Sequence, residues 1–250
     1  MKQVAILVPQ DAVLPSIVDA HTMFTGVNAF LKAAGKSPLY NIQLVGITDQ
    51  IKFHTSLFSI QTDALVTEVN QADLIIIPAI GGDFATTLEN NKAFVPWIVQ
   101  QYEQGAEVTS LCTGAFLLAY TGLLNGKECS CHWNSAGLFR EMFPEVTLVD
   151  GRIVTEQQRL YSSGGATSYW NLLLHLVEKT RRTGDGHNGR QNLRLRNRPE
   201  KSISFCHVQW AKETRRRTYQ ASAGVYRTQS NRAHIGRRFV GPIRYWPPSF

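Results

Sequence analysis

Apolar residues in the first 180 positions fall into alternating strand-like and helix-like patterns. Strand-like segments occur at residues 3–8, 41–47, 73–78 and 107–111, and the segment at 73–78, DLIIIP, has the apolar run of a fully buried strand. Helical spacing of apolar residues occurs at residues 16–34, 94–104, 113–124, 134–143 and 166–179. Unbroken apolar runs are typical of parallel strands that are covered on both faces. The order predicts a doubly wound α/β fold, with a mostly parallel sheet and helices on both faces.

A hairpin is predicted near the end of this region. Residues 146–162 alternate between apolar and polar in short runs about Asp150-Gly151. An Asp-Gly pair favours the tight turns that join antiparallel strands, because glycine adopts positive φ without strain. We therefore expect a hairpin that turns at this dipeptide.

The charge of the chain changes sign at about residue 179. Residues 1–178 carry 9 Lys and Arg against 16 Asp and Glu, whereas residues 179–250 carry 17 against 3. The total of +7 therefore describes neither part. The basic part has no apolar periodicity that would build a core. We expect one folded domain at residues 1–179 and an irregular, disordered basic tail at residues 180–250.

The sequence has none of the features of a membrane or secreted protein. Its longest apolar stretches fall short of the roughly 20 residues that a membrane helix requires, and no signal peptide is recognisable. The four cysteines show no CxxC pair, and Cys129-x-Cys131-His132 is too tight for the usual zinc clusters. We expect a cytoplasmic protein with free thiols and with neither a metal nor a cofactor.

Cys112 lies between a predicted strand and a predicted helix, in the sequence SLCTGA. A sharp turn here would expose its side chain at the carboxyl edge of the sheet, as a nucleophile elbow does. The N-terminus of the following helix would favour the thiolate, and Gly114 would allow the backbone to pass closely. The alternative is that Cys112 is a small buried apolar residue, which is the commoner role of a free cysteine.

Two further segments are candidates for the same site. Gly81 and Gly82 follow the strand at residues 73–78 and would supply N–H groups beside the thiol, unless they form a plain turn. His132, next to Trp133, is a candidate base or ligand-orienting group, although a single histidine is more often structural. The candidate ligand-binding residues are Gly81, Gly82, Cys112, Thr113, His132 and Trp133. In an enzyme, Cys112 and His132 would be the catalytic pair.

The elbow, the sequence GLLNGK at residues 122–127 and the His132-Trp133 pair together resemble the DJ-1/PfpI superfamily. This superfamily has the class I glutamine amidotransferase-like, flavodoxin-like fold. The chain is still more similar to the N-terminal domain of AraC-type transcriptional regulators, which precedes a helix-turn-helix pair. The resemblance covers residues 1 to about 179.

In that superfamily an acidic residue after the first strand and a histidine join the elbow cysteine. Cys112 and His132 match the pattern, but the best alignment places Ser16 at the position of the acid. Asp11 and Asp19 are close in sequence and do not fall on the pattern. The missing acid makes catalysis doubtful.

The resemblance implies a ligand-sensing domain of a transcriptional regulator, which forms a homodimer and binds an unidentified small molecule. DNA would be bound only through a domain that is absent from this chain, and no membrane is involved. The alternative is a cysteine-dependent enzyme of the DJ-1/PfpI kind, with hydrolase, amidotransferase-like or glyoxalase-like activity through Cys112.

The basic tail allows two further hypotheses. Its 14 arginines and interleaved aromatic residues are typical of a nucleic-acid-binding arm. Alternatively, the tail is the frameshifted translation of a regulator's linker and DNA-binding domain. Reading codons 231–239 from their second base permits TEHISVEDL, which is similar to the start of a DNA-binding helix in those regulators. One added base near codon 180 would produce the shift.

Overall fold

The computed structural model describes residues 1–53, 58–149, 151–165 and 168–184, with side chains described to residue 180. The strands are β1 (Lys2–Leu7), β2 (Tyr40–Gly46), β3 (Gln50–Lys52), β4 (Ser59–Gln61), β5 (Ala64–Leu65), β6 (Leu74–Ile77), β7 (Glu107–Ser110), β8 (Glu128–Cys129), β9 (Thr147–Leu148), β10 (Val154–Gln157) and β11 (Leu160–Ser163). The helices are α1 (Leu14–Ala33), α2 (Phe84–Asn90), α3 (Phe94–Glu103), α4 (Ala115–Tyr120), α5 (Ala136–Met142) and α6 (Ser168–Gly184). All of these elements belong to one compact unit, Met1–Asn188.

Seven strands form the main sheet, in the order β10-β11-β7-β6-β1-β2-β5. All neighbouring pairs are parallel except β10 and β11, which are antiparallel at one edge. The chain proceeds from β1 outward to β2 and β5, and then returns to the other side of β1 with β6. The strand order therefore reverses between β1 and β6, where open α/β sheets commonly bind ligands at their carboxyl edge.

Helices cover both faces of the sheet. Alternate residues of β1 and β6 point to opposite faces, so Ile75 and Ile77 join one core while Leu74 and Ile76 join the other. The first core packs α2, α3, α4 and α5 against the sheet, and the second packs α1 and α6. This arrangement confirms the predicted doubly wound, mostly parallel fold.

A hairpin is present near the end of this region. The antiparallel strands β10 and β11 turn at Gln158 and Arg159, whose φ angles are 50° and 65°. Asp150, in the turn predicted at Asp150-Gly151, lies outside the described residues. The Arg159 guanidinium donates to the carbonyls of Tyr102 and Ala106, at 2.9 and 3.1 Å. These tertiary contacts hold the turn in a conformation that its own residues disfavour.

Two helices differ in length from their predictions. Helix α4 ends at Tyr120, since Gly122 with a φ of 78° starts a run of turns. Helix α6 continues past residue 179 to Gly184. The remainder of the predicted basic tail lies outside the described residues. Among the helices that the structure describes, none is long and apolar enough to cross a membrane.

Candidate functional site

Cys112 occupies a strained turn between β7 and α4. Its φ is 55°, in the left-handed region that non-glycine residues seldom adopt. Hydrogen bonds fix the turn on three sides: Leu111 N–H donates to the Ile77 carbonyl at 2.9 Å, Gly114 N–H to the Leu111 carbonyl at 2.8 Å, and Cys112 N–H to Ser163 Oγ at 3.3 Å. A strained residue held by its surroundings at a sheet edge is the geometry of a nucleophile elbow.

Gly114 makes this turn possible. A Cβ atom at this position would lie 2.4 Å from the Pro78 carbonyl oxygen and 2.7 Å from that of Ile77. Both atoms belong to the backbone at the end of β6, so neither can move aside cheaply. The predicted close approach at Gly114 is therefore present.

Burial governs the chemistry of the Cys112 thiol. The residue is only 8% exposed, and burial raises the pKa of its thiol, although hydrogen bonds from the Thr113 amide and hydroxyl offset part of the effect. Among the described residues, no carboxylate forms a hydrogen bond with the sulfur. Burial therefore favours the thiol over the thiolate, which is the stronger nucleophile.

The loops after β1 and β6 are joined beside the elbow. Val13 N–H donates to the Ala79 carbonyl and Gly81 N–H to the Asp11 carbonyl, both at 2.8 Å. The Thr113 hydroxyl donates to the Ile80 carbonyl at 2.7 Å and accepts from Ile80 N–H at 3.1 Å. The structure thus places the Gly81-Gly82 turn next to Thr113, but the Gly81 amide is already bonded to Asp11.

Ser16 is the residue that the sequence analysis aligned with the acid of the superfamily. Its side chain is 1% exposed, donates to the Val13 carbonyl at 2.7 Å and accepts from Ala79 N–H at 3.0 Å. This hydroxyl ties the first turn of α1 to the end of β6. It is therefore a structural bridge.

The two nearby acids have other partners. Asp11 accepts a hydrogen bond from the Thr87 hydroxyl at 3.1 Å, and Asp19 accepts one from the Tyr169 hydroxyl at 2.5 Å. Burial, followed by the hydrogen bond to Asp19, raises the pKa of the Tyr169 phenol. Neither acid replaces the missing carboxylate at the thiol.

His132 and Trp133 form a stacked pair at the start of a short 3-10 turn. Their ring centroids are 5.5 Å apart, and Trp133 is 77% exposed. His132 Nδ1 accepts from Asn134 N–H at 3.2 Å, while its Nε2 edge faces Gly165. No hydrogen bond joins the described His132 ring to the Cys112 thiol, so the two residues do not form a nucleophile–base pair in this state.

The end of β11 and the residues that follow it lie beside both Cys112 and the His132-Trp133 pair. Ser163 Oγ accepts from Cys112 N–H, and a Cβ atom on Gly165 would lie 3.5 Å from Trp133 Cδ1 and 3.6 Å from His132 Cδ2. The sequence analysis missed these residues. The only local signal is the small-residue sequence SSGG at residues 162–165, where β11 ends.

A cavity of about 210 Å³ opens beside this segment. Its described lining comes from the 3-10 turn and α5, from β9 and the segment before β10, and from the start of α6. Trp133 is the one residue of the predicted ligand set that lines this cavity. Cys131, another lining residue, is 9% exposed, and burial raises the pKa of its thiol.

Comparisons with known proteins place the chain in a family. The DJ-1/PfpI family profile matches residues 25–179. HTH-type transcriptional regulator GbdR of Pseudomonas aeruginosa is 33% identical over 104 residues, which are 42% of this chain and 27% of the regulator. Isonitrile hydratase of Pseudomonas putida is 30% identical over 109 residues, which are 43% of this chain and 45% of the hydratase. The chain thus matches less than half the length of either relative.

Solved structures show the same fold. The crystal structure of an AraC family transcriptional regulator from Pseudomonas putida superposes with a TM-score of 0.59 at 16% identity, covering 72% of this chain and 92% of the other. The relatives of this chain include transcriptional regulators as well as an enzyme. With its matched profile, its elbow cysteine and its doubly wound sheet, the chain belongs to the DJ-1/PfpI family.

Proposed function

We propose that residues 1–179 form the ligand-sensing domain of an AraC-type transcriptional regulator. The observation that carries this proposal is the pairing of Ser16 with Ala79 at the position where an enzyme of this superfamily would hold its acid. The similarity to the regulator GbdR supports the same role. A site with a protonated thiol and no catalytic acid is suited to binding a molecule without transforming it.

We further propose that this domain forms a homodimer and binds a small molecule. DNA binding would belong to a part of the protein other than residues 1–179.

A metabolite screen on the purified chain tests the sensing role. Thermal unfolding is recorded with a panel of small acids, amines, amides and sugars, because a ligand that binds only the folded state raises the midpoint. We expect at least one compound to raise the midpoint equally in wild type and in Cys112→Ala, since binding does not require the thiol. If no compound shifts the midpoint, or if every shift disappears in Cys112→Ala, sensing of this kind is wrong.

The elbow geometry favours a second candidate, a cysteine-dependent enzyme. The positive φ of Cys112 is retained despite its strain, and one relative is an isonitrile hydratase. Such an enzyme would add water to an isonitrile and release an N-substituted formamide. Because the thiol is buried and protonated, we expect no formamide from an alkyl isonitrile at neutral pH.

Alkylation kinetics of Cys112 distinguish the candidates directly. Peptide mapping after iodoacetamide treatment should show that Cys112 reacts more slowly at pH 7 than a free cysteine, and that the rate rises above pH 9 as the thiolate forms. Fast alkylation at pH 7, together with turnover that Cys112→Ala abolishes, would establish the enzyme instead.

A further inference from the structure

The cavity beside the β11–α6 segment has one charged side chain among its described lining residues, Arg152. The guanidinium donates through Nη1 to Glu128 Oε2 at 2.6 Å, and both side chains are about half exposed. Arginine has five N–H donors in a planar fork, so this single bond leaves donors for a second carboxylate. The backbone beneath it is fixed, because the Ser130 hydroxyl donates to the Arg152 carbonyl at 3.1 Å.

Part of the cavity wall is apolar. Trp133 and Ile153 are large hydrophobic residues that are 77% and 55% exposed, and Leu148 and Ala136 line the same space. An exposed indole beside an exposed isoleucine offers a flat surface on which an aromatic ring can stack. Gly165 lies beside the edge of Trp133, since a Cβ atom there would be in ordinary van der Waals contact with the indole, 3.5 Å from Cδ1.

The size of the cavity limits its occupant. Its volume of about 210 Å³ lies below the roughly 300–1,000 Å³ of sites for drug-sized ligands. A single ring with one polar substituent is a ligand of suitable size.

We propose that this cavity binds a small aromatic carboxylic acid, whose carboxylate pairs with Arg152 and whose ring packs between Trp133 and Ile153. This inference rests on the proposed sensing function and names its ligand class. Glu128 would keep its bond to Nη1, and the ligand carboxylate would accept hydrogen bonds from the remaining N–H groups of the guanidinium.

Benzoate and benzamide are the test probes, because they have the same size and ring and differ in charge. Their affinities for the full chain are measured by isothermal titration calorimetry and by quenching of tryptophan fluorescence. We expect benzoate to bind more tightly than benzamide, and Arg152→Gln to weaken benzoate by about 3- to 10-fold while leaving benzamide unchanged.

Two further variants serve as matched controls. Glu128→Gln removes the competing carboxylate but keeps the guanidinium, so benzoate should bind at least as tightly as to wild type. Trp133→Ala removes the stacking surface and should weaken both probes equally. If Arg152→Gln does not fold, Glu128→Gln still tests the role of the cation, because a guanidinium released from Glu128 should increase the preference for benzoate over benzamide, and an unchanged preference would overturn the proposal.

The ligand class is wrong if benzamide binds as tightly as benzoate to wild type, if Arg152→Gln keeps the preference for benzoate, or if benzoate does not bind. Failure of the sensing function itself has a different signature: the metabolite screen yields no ligand of any class. A neutral or cationic compound that binds in the screen while benzoate does not would leave sensing intact and overturn only the aromatic acid.

Discussion

Cys112 has a strained backbone conformation, with a φ of 55°. A non-glycine residue at positive φ costs on the order of 1–3 kcal/mol, and hydrogen bonds to the ends of β6 and β11 hold it there. Gly114, two residues further on, passes over the Ile77 and Pro78 carbonyls at a distance that no side chain allows. The turn therefore needs both the positive φ of Cys112 and the missing side chain of Gly114.

Replacing Gly114 by alanine should disrupt the turn. The new methyl group would meet two backbone oxygens within 2.7 Å, and overpacking of this kind costs about 1–3 kcal/mol. Urea unfolding should show that loss in the free energy of unfolding. Because the turn would shift, the alkylation rate of Cys112 should change as well.

Gly26→Ala is the matched control for this change. Gly26 lies within α1, and a Cβ atom there would have no neighbour within 4 Å. Alanine in a helix interior is more favourable than glycine by about 0.5–1 kcal/mol, so this variant should be more stable than wild type. A Gly114→Ala protein as stable as wild type would contradict the role assigned to Gly114.

At the scale of elements, helix α6 connects the site to a polar cluster on the sheet. Its first turn lines the cavity through Ser168, and its later turns carry His175 and Lys179. His175 Nε2 lies 2.9 Å from Glu156 Oε2, and Lys179 Nζ lies 3.1 Å from Glu156 Oε1 and 3.3 Å from Glu107 Oε1. The cluster anchors the C-terminal part of α6 to β10 and β7.

Glu156 is the centre of this cluster, and its ionisation should affect stability. Burial acts to raise the pKa of its carboxyl, but the hydrogen bonds from His175 and Lys179 outweigh burial and lower it. A lowered pKa in the folded state stabilises the protein above the unfolded pKa, and this contribution is lost as pH falls through the folded pKa. Glu156→Gln should therefore reduce the free energy of unfolding at pH 7 by less than about 1 kcal/mol, since the group is exposed to solvent.

The difference between Glu156→Gln and wild type should shrink as pH is lowered below about 4, and urea titrations at pH 3 and pH 7 measure it. Glu178→Gln is the control, because Glu178 lies on the same helix with an exposed side chain. An equal effect of both substitutions at pH 7 would show that the cluster contributes nothing specific.

At the scale of the whole molecule, the family match ends at the position where the chain becomes strongly basic. The DJ-1/PfpI profile stops at residue 179, and 17 of the 26 Lys and Arg residues follow from that position onward. The frameshift hypothesis accounts for both observations with one event. The tail from residue 185 lies outside the described residues, so the nucleotide sequence provides the test.

We expect removal of one base near codon 180 to open a reading frame that encodes a complete helix-turn-helix pair. Sequencing of the coding DNA and its downstream region checks this outcome. The chain as translated should show no sequence-selective binding to its own upstream DNA in a gel-shift assay, with a salt titration to separate non-specific binding by the basic tail. A selective shift, or the absence of such a reading frame, would contradict the hypothesis.

Much of the fold and part of the site followed from local sequence. Strand β6 is an unbroken apolar run, which is typical of a strand covered on both faces, and β1 ends in a similar run. Cys112 and Gly114 are recognisable for the same reason, since the elbow is a local turn with fixed requirements. The turn at Gln158 and Arg159 could not be predicted in this way, because tertiary contacts of Arg159 hold it.

The sequence by itself determined the α/β class, the elbow and the family resemblance, because each depends on residues close together in the chain. Only the tertiary structure decided that Ser16 bonds to Ala79, that Ser163 holds the Cys112 amide 51 residues away, and that Trp133 and Arg152 share a cavity. These contacts form when distant loops meet at the carboxyl edge of a parallel sheet. The order of the strands in the sheet determines which loops become neighbours, and no local sequence pattern specifies that order.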